Sequence, residues 1–237
     1  MQTELTETSP LLDKNGKLIQ VGWARQPLLE CNLENVAFYP KFLRPLQFTR
    51  VKVWDYYAVF TPQRFFSATI ANLGYAGNIF VYTLDFNSGE LHEEGLVIPL
   101  GRGVKLSRQT LGRCEYQANG VCLRFDGSES CRKIFVDWPE FHDGRGIHAD
   151  IKLQIPIGHE SMNIVIPIPG KRFYYNHKIN RLPASGSIHY GDMRQQLMPD
   201  TSLGQLDWGR GVWQYSSFWN WASASGFLAD GRNRNQR

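Results

Sequence analysis

The chain has 237 residues, 42% hydrophobic and 20% charged, which suits one or two globular domains and excludes disorder along its whole length. No stretch approaches the roughly 18 apolar residues of a membrane-spanning helix, and Met1 to Asp13 lacks the apolar segment of a secretion signal, so a cytoplasmic protein is expected. The net charge of +4 (26 basic, 22 acidic) falls to +1 (23 basic, 22 acidic) once Arg232, Arg234 and Arg237 of the last seven residues are set aside, so a nucleic-acid partner is not expected.

Strand patterns dominate in chain order. Arg50 to Phe60 and Arg64 to Ala71 are rich in aromatic and β-branched residues and are parted by Thr61-Pro62. Asn78 to Asp85 follows, then the turn Asn87-Ser88-Gly89 and a short strand at Leu96 to Leu100. Asn119-Gly120 and Asp126-Gly127 bracket a strand at Val121 to Phe125, in the manner of hairpin turns. Arg132 to Trp138 stops at Pro139. From Ala149 to Ile157 the apolar residues Ile151, Leu153, Ile155 and Ile157 alternate with polar ones, a period of two. Met162 to Ile168, Arg172 to Ile179 and Ser185 to Tyr190 complete the series. Only Trp213 to Ser225 could form a short helix. Regularly spaced strands with turn residues between them predict an all-β antiparallel barrel or sandwich. A composition shift near Pro169 suggests a first lobe over residues 1–180 and a second over 181–237.

The candidate chemistry lies late in the chain. Four of the seven Trp, namely Trp208, Trp213, Trp219 and Trp221, fall between 208 and 221. In Asp207-Trp208-Gly209-Arg210-Gly211, the glycines permit a tight turn, and a carboxylate beside an indole is partly desolvated, which suits general-acid work. The competing structural reading is an Asp207–Arg210 pair closing a turn, with Trp208 in the core. In Tyr174 to Lys178, a strand places Tyr175 and His177 on one face and Tyr174, Asn176 and Lys178 on the other. Tyr175 and His177 could polarise a ligand oxygen, or His177 could be a satisfied core histidine. His142 to Asp150 gathers ligand-type side chains without any known zinc spacing. Cys31, Cys114, Cys122 and Cys131 lack C-x-x-C spacing and read as free thiols. No phosphate loop, dinucleotide fingerprint or nucleophile elbow is present, so neither metal nor cofactor is expected.

The segments Tyr175 to Ile179 (YNHKI), Leu182 to Ser187 (LPASGS) and Leu203 to Trp213 (LGQLDWGRGVW) resemble the bacterial domain-of-unknown-function family DUF2804. Pro10 to Leu28 and Val51 to Tyr57 (VKVWDYY) match it too. That family is distantly similar to the lipocalin-like superfamily of carotenoid 1,2-hydratases, AttH-type proteins and Diels–Alderases. The resemblance implies two-lobed antiparallel β structure around an apolar ligand, with the second lobe incomplete here. In the hydratases an acidic residue protonates an alkene, and Asp207 is the nearest match to it. The expectation is therefore a binder of an apolar or amphipathic small molecule, with hydratase-, isomerase- or cyclase-type proton transfer as its possible chemistry. Asp207, His177 and Tyr175 are the candidate catalytic residues, and Trp208, Arg210, Trp213, Asn176 and Trp219 the candidate ligand-binding ones. A carbohydrate-binding or glycan-acting module, using the Trp cluster for stacking, and a non-catalytic interaction protein are the alternatives.

Overall fold

The computed structural model describes residues 3–216, 218 and 220–227. The short strands β1 (Ser9–Pro10), β2 (Gly22–Ala24) and β3 (Leu29–Glu30) come first. A 3₁₀ helix, Lys41–Arg50, leads into a meander of β4 (Val51–Phe60), β5 (Arg64–Asn72), β6 (Ala76–Asp85) and β7 (Leu91–Pro99). A second meander holds β8 (Gly112–Ala118), β9 (Val121–Gly127), β10 (Cys131–Trp138) and β11 (Ile147–Gln154). It is followed by β12 (Met162–Ile168), β13 (Arg172–Tyr190), β14 (Met193–Leu197) and β15 (Leu203–Val212).

Apart from the parallel β1–β3 pair, these strands form one antiparallel sheet of 13 strands: ten in the order β7-β6-β5-β4-β15-β13-β11-β10-β9-β8, with β12 and β14 on β13 and β2 on β12 beside that path. The sheet curls into a half-barrel, the all-β class that the sequence predicts. β13 is the joint. Its first half pairs with β12 and β15, its second half with β11 and β14. A register shift between Ile179 and Leu182, where Arg181 adopts φ 58°, parts the two halves. β13 runs unbroken through residue 180, and β15, later in the chain, returns to lie between β4 and the first half of β13.

The curl brings the two meanders face to face around one apolar cluster. Tyr57 of β4 meets Phe125 of β9 edge-on at 4.9 Å, with Phe66, Ile70, Ile134, Val136 and Ile151 buried around them. The N-terminal segment plugs this core. Leu11 and Leu12 are buried, and the Asn32 side chain clamps the Leu12 backbone, accepting from its N–H at 2.9 Å and donating to its carbonyl at 2.7 Å.

Several local expectations change. Asn119 (φ 52°) and Gly120 (φ 78°) do form the tight turn, joining β9 to the unforeseen β8. Arg172 to Tyr190 is one strand rather than two. The alternation of β11 ends at Gln154, leaving Ile157 exposed. No helix occurs among the described residues between 213 and 225.

The largest correction concerns Leu203 to Val212. The segment is no turn but the central, wholly buried strand β15. Its glycines answer to packing. A Cβ on Gly209 would overlap the Trp54 ring, and one on Gly211 would press on the Phe173 carbonyl and the Trp213 ring. Arg210 does not pair with Asp207. Its guanidinium turns into the curl, 2.8 Å from Asp55 of β4, and donates to the carbonyls of Trp54 (2.6 Å), Gly209 (2.9 Å) and Ser107 (2.8 Å). Both members of this ion pair are almost wholly excluded from solvent.

Two outcomes follow for denaturant unfolding. Asp55→Ala leaves the Arg210 charge buried and unmatched and should cost about 3–5 kcal/mol. Gly209→Ala should cost about 1–3 kcal/mol by overpacking against Trp54, a loss that a Gly209→Ala/Trp54→Leu double variant recovers in part.

Candidate functional site

Strand alternation sorts the candidates onto opposite faces of the sheet. Register pairs His177 with Trp208, and Lys178 with Asp207. Tyr175, His177, Trp208 and Arg210 therefore face the core, whereas Asn176 and Asp207 face outward. Tyr175 packs edge-on against Trp208 at 5.3 Å, and its hydroxyl donates to the Leu29 carbonyl at 3.1 Å. Arg210 lies over the Trp208 ring at 4.2 Å. The three candidate catalytic residues thus do not converge: Asp207 is separated from Tyr175 and His177 by the sheet itself.

On the outer face Asp207 accepts hydrogen bonds from both neighbours on β13. Asn176 Nδ2 lies 2.8 Å from Oδ1 and also donates to the Trp208 carbonyl at 2.6 Å. Lys178 Nζ forms an ion pair with Oδ2. A long contact from Trp54 Nε1, 3.4 Å, completes the set. Trp213 is half-buried and stands edge-on to Trp54 at 5.3 Å, while Trp54 stacks on Tyr174 at 5.9 Å, the rings covering the two strand glycines. Trp219 lies outside the described residues.

Beside Asp207 opens a cavity of about 740 Å³, walled on one side by β13 and β15 and on the other by residues 221–227. Trp221, 45% exposed, stands edge-on to Tyr56 at 5.8 Å, and the Lys178 ammonium is 5.6 Å from its ring. The Ser223 hydroxyl tethers this outer wall, bonding Asn180 Oδ1 at 3.2 Å and Gln205 Oε1 at 2.5 Å. Lys178 and Gln205 are site residues that the sequence reading does not select, and Trp221 enters there only as one of the four Trp of the stacking alternative. Reading Leu203 to Val212 as a strand supplies the missing signal, because a period of two puts Gln205 and Asp207 on one face. Among the described residues, the Trp of the cluster do not share one face, since Trp208 is in the core and Trp221 on the far side of the sheet.

The family model for the Domain of unknown function DUF2804 matches residues 2–235. The chain belongs to this family. Among solved structures it is similar to a Nitrosomonas europaea protein assigned as AttH, at 14% identity and a TM-score of 0.40, over 70% of this chain and 52% of that one. It is also similar to kievitone hydratase from Nectria haematococca, at 14% identity and a TM-score of 0.36, over 68% of this chain and 47% of that one. The chain therefore spans about half the length of each. No curated protein matches it.

The remaining titratable groups divide by burial. All four cysteines are free thiols, and burial pushes the Cys31 thiol up to about 12. His142 sits in a tight turn and shares a 2.6 Å hydrogen bond with the Tyr190 hydroxyl, with the His92 ring tilted against it at 4.0 Å. His148 faces Asp137 instead, at 3.3 Å, so the segment from His142 to Asp150 is dispersed. Among the described residues, no three His, Cys, Asp or Glu side chains are arranged to hold a metal ion.

His177 is buried with neither ring nitrogen partnered among the described residues. Burial, reinforced by the charge of Arg132, pushes its pKa down to about 3. An unfolded chain protonates this ring near pH 6.5, the folded chain only near pH 3, so the unfolded state binds more protons between those values. Native stability is therefore retained above pH 6.5 and falls by about 1.4 kcal/mol for each pH unit below it, owing to this group. Urea unfolding at pH 7, 6, 5 and 4 should show a shallower acid decline for His177→Leu than for the wild type. Equal slopes would mean that the native ring takes up its proton freely.

Proposed function

We propose that the protein binds a small amphipathic molecule in the cavity between the outer face of β13–β15 and residues 221–227. The observation that supports this most directly is the pairing of features in one concavity: an ion pair, Asp207–Lys178, and an exposed indole, Trp221. A cavity of about 740 Å³ is of the size that takes small ligands, and such sites combine apolar walls with a few placed polar groups. The ligand's apolar part would lie along Trp221 and Met162, with its polar end against Asp207, Lys178 and Gln205. The interior of the curl is a weaker candidate, because Trp208, Tyr57 and Phe125 fill it.

If the protein also transforms its ligand, hydration, isomerisation or cyclisation by proton transfer is the chemistry to look for. Asp207 and Lys178 are the groups placed to exchange a proton with a bound molecule. Asp207 is surrounded by donors, which hold its carboxylate in place to accept a hydrogen bond from a ligand hydroxyl. Tyr175 and His177 support the strand from the other face.

Titration with Nile red should give a blue-shifted, saturable emission. Trp221→Ala should weaken uptake at least about tenfold, the loss of one well-packed aromatic contact, while leaving thermal unfolding near the wild-type value because the side chain is half exposed. Absence of saturable uptake, or equal uptake by Trp221→Ala, would rule out this cavity.

A further inference from the structure

We infer that the cavity beside Asp207 selects an amphipathic ligand whose polar head carries no net charge. The inference rests on the binding reading above and goes further, to ligand class. Four ionised side chains line the cavity: the carboxylates Glu160 and Asp207, and the cations Lys178 and Arg181. The charges are matched individually: Asp207 by the Lys178 ammonium, Glu160 by Arg25 at 2.8 Å, and Arg181 is itself engaged. His159 adds no charge at neutral pH. Its Nε2 is 2.9 Å from the Asn180 carbonyl, and burial, outweighing that hydrogen bond, holds its pKa below the ordinary value with help from Arg181.

A charged head would disturb this balance. An anion drawn to Lys178 must lie beside Asp207, and a cation drawn to Asp207 must lie beside Lys178. In either case one partly buried charge loses its partner, which is costly away from water. The buried polar atoms beside the cavity that lack a partner among the described residues are neutral. Gln205 is almost wholly buried, its Oε1 is held by Ser223, and its Nε2 has no partner among the described residues. Ser225 Oγ is likewise unpartnered among them. An amide N–H and a hydroxyl suit a ligand hydroxyl or carbonyl oxygen. The half-exposed Trp221, Met162 and Phe227 supply the apolar wall for a tail.

Displacement of Nile red at pH 7 by three compounds with one eight-carbon tail tests this: octyl glucoside, octanoate and octylammonium, each below micelle formation. Octyl glucoside should displace the probe at concentrations about tenfold lower than either ion. The charge variants should invert that order in opposite directions. Asp207→Asn, which leaves Lys178 unmatched, should come to favour octanoate, and Lys178→Met should come to favour octylammonium. If a variant unfolds, as thermal melting will show, the wild-type series still decides. A wild type that takes up the probe but prefers an ion, or ranks the three heads equally, overturns this inference and leaves the cavity intact as a binding site. Failure of the probe itself to bind overturns both.

Discussion

The fold depends on a charge that has been taken out of water. Arg210 sits in the middle of the central strand, and its guanidinium is satisfied from three directions: by the Asp55 carboxylate on β4, by the Trp54 and Gly209 carbonyls beside it, and by the Ser107 carbonyl just ahead of β8. Cys114 on β8 donates to the other oxygen of Asp55 at 3.4 Å. One buried ion pair thereby ties the first meander to the second across the curl. A buried pair of this kind is weak evidence for stability by itself, because desolvation offsets much of the attraction. Its importance is positional. It fixes which face of β15 points inward, and the alternation of the strand then fixes everything else. Trp208 must go into the core with Arg210, and Asp207 and Gly209 must go out.

That outward face explains the composition of the motif. A strand flanked by Trp54 on one side and Tyr174 on the other can lie flat only if the residues between the rings have no side chains, which is what Gly209 and Gly211 provide. Beyond the rings comes the polar set around Asp207, and beyond that the cavity. Core, aromatic cover and candidate site are thus three successive outcomes of one register.

Much of this could be read from the residues. Clean alternation at Ile151 and Leu153 and the Asn119-Gly120 turn identified real strands, because half-buried hairpins write their period into the chain. The resemblance carried by Leu203 to Trp213 led to the right family. The central strand itself was hidden for a physical reason. A strand buried on both faces shows no apolar–polar alternation, and glycines chosen for aromatic packing look like turn residues. The other two glycine–arginine–glycine segments illustrate the ambiguity: the glycines at 101, 103, 144 and 146 do adopt positive φ, whereas those at 209 and 211 are extended. The site suffered in consequence. Tyr175 and His177 were grouped with Asp207 by sequence proximity and chemistry, although a strand adjacent in register sends neighbouring residues to opposite sides. Trp221 stands out in the sequence only as a member of the Trp cluster, since the described residues around it carry no strand or helix period.

The placement of β15 also has a consequence for biosynthesis. Asp55 and Arg210 are separated by 155 positions in the chain. On the ribosome, the β4–β7 meander is complete long before its central neighbour has been made. During that interval the inner edge of β4 presents free backbone groups, and Asp55 has no guanidinium beside it. Loop closure over such a distance is slow, and an open strand edge is a template for pairing with other chains. The nascent protein is therefore exposed to misassembly until β15 arrives, and chaperones that shield open strand edges should influence its yield more than its final stability.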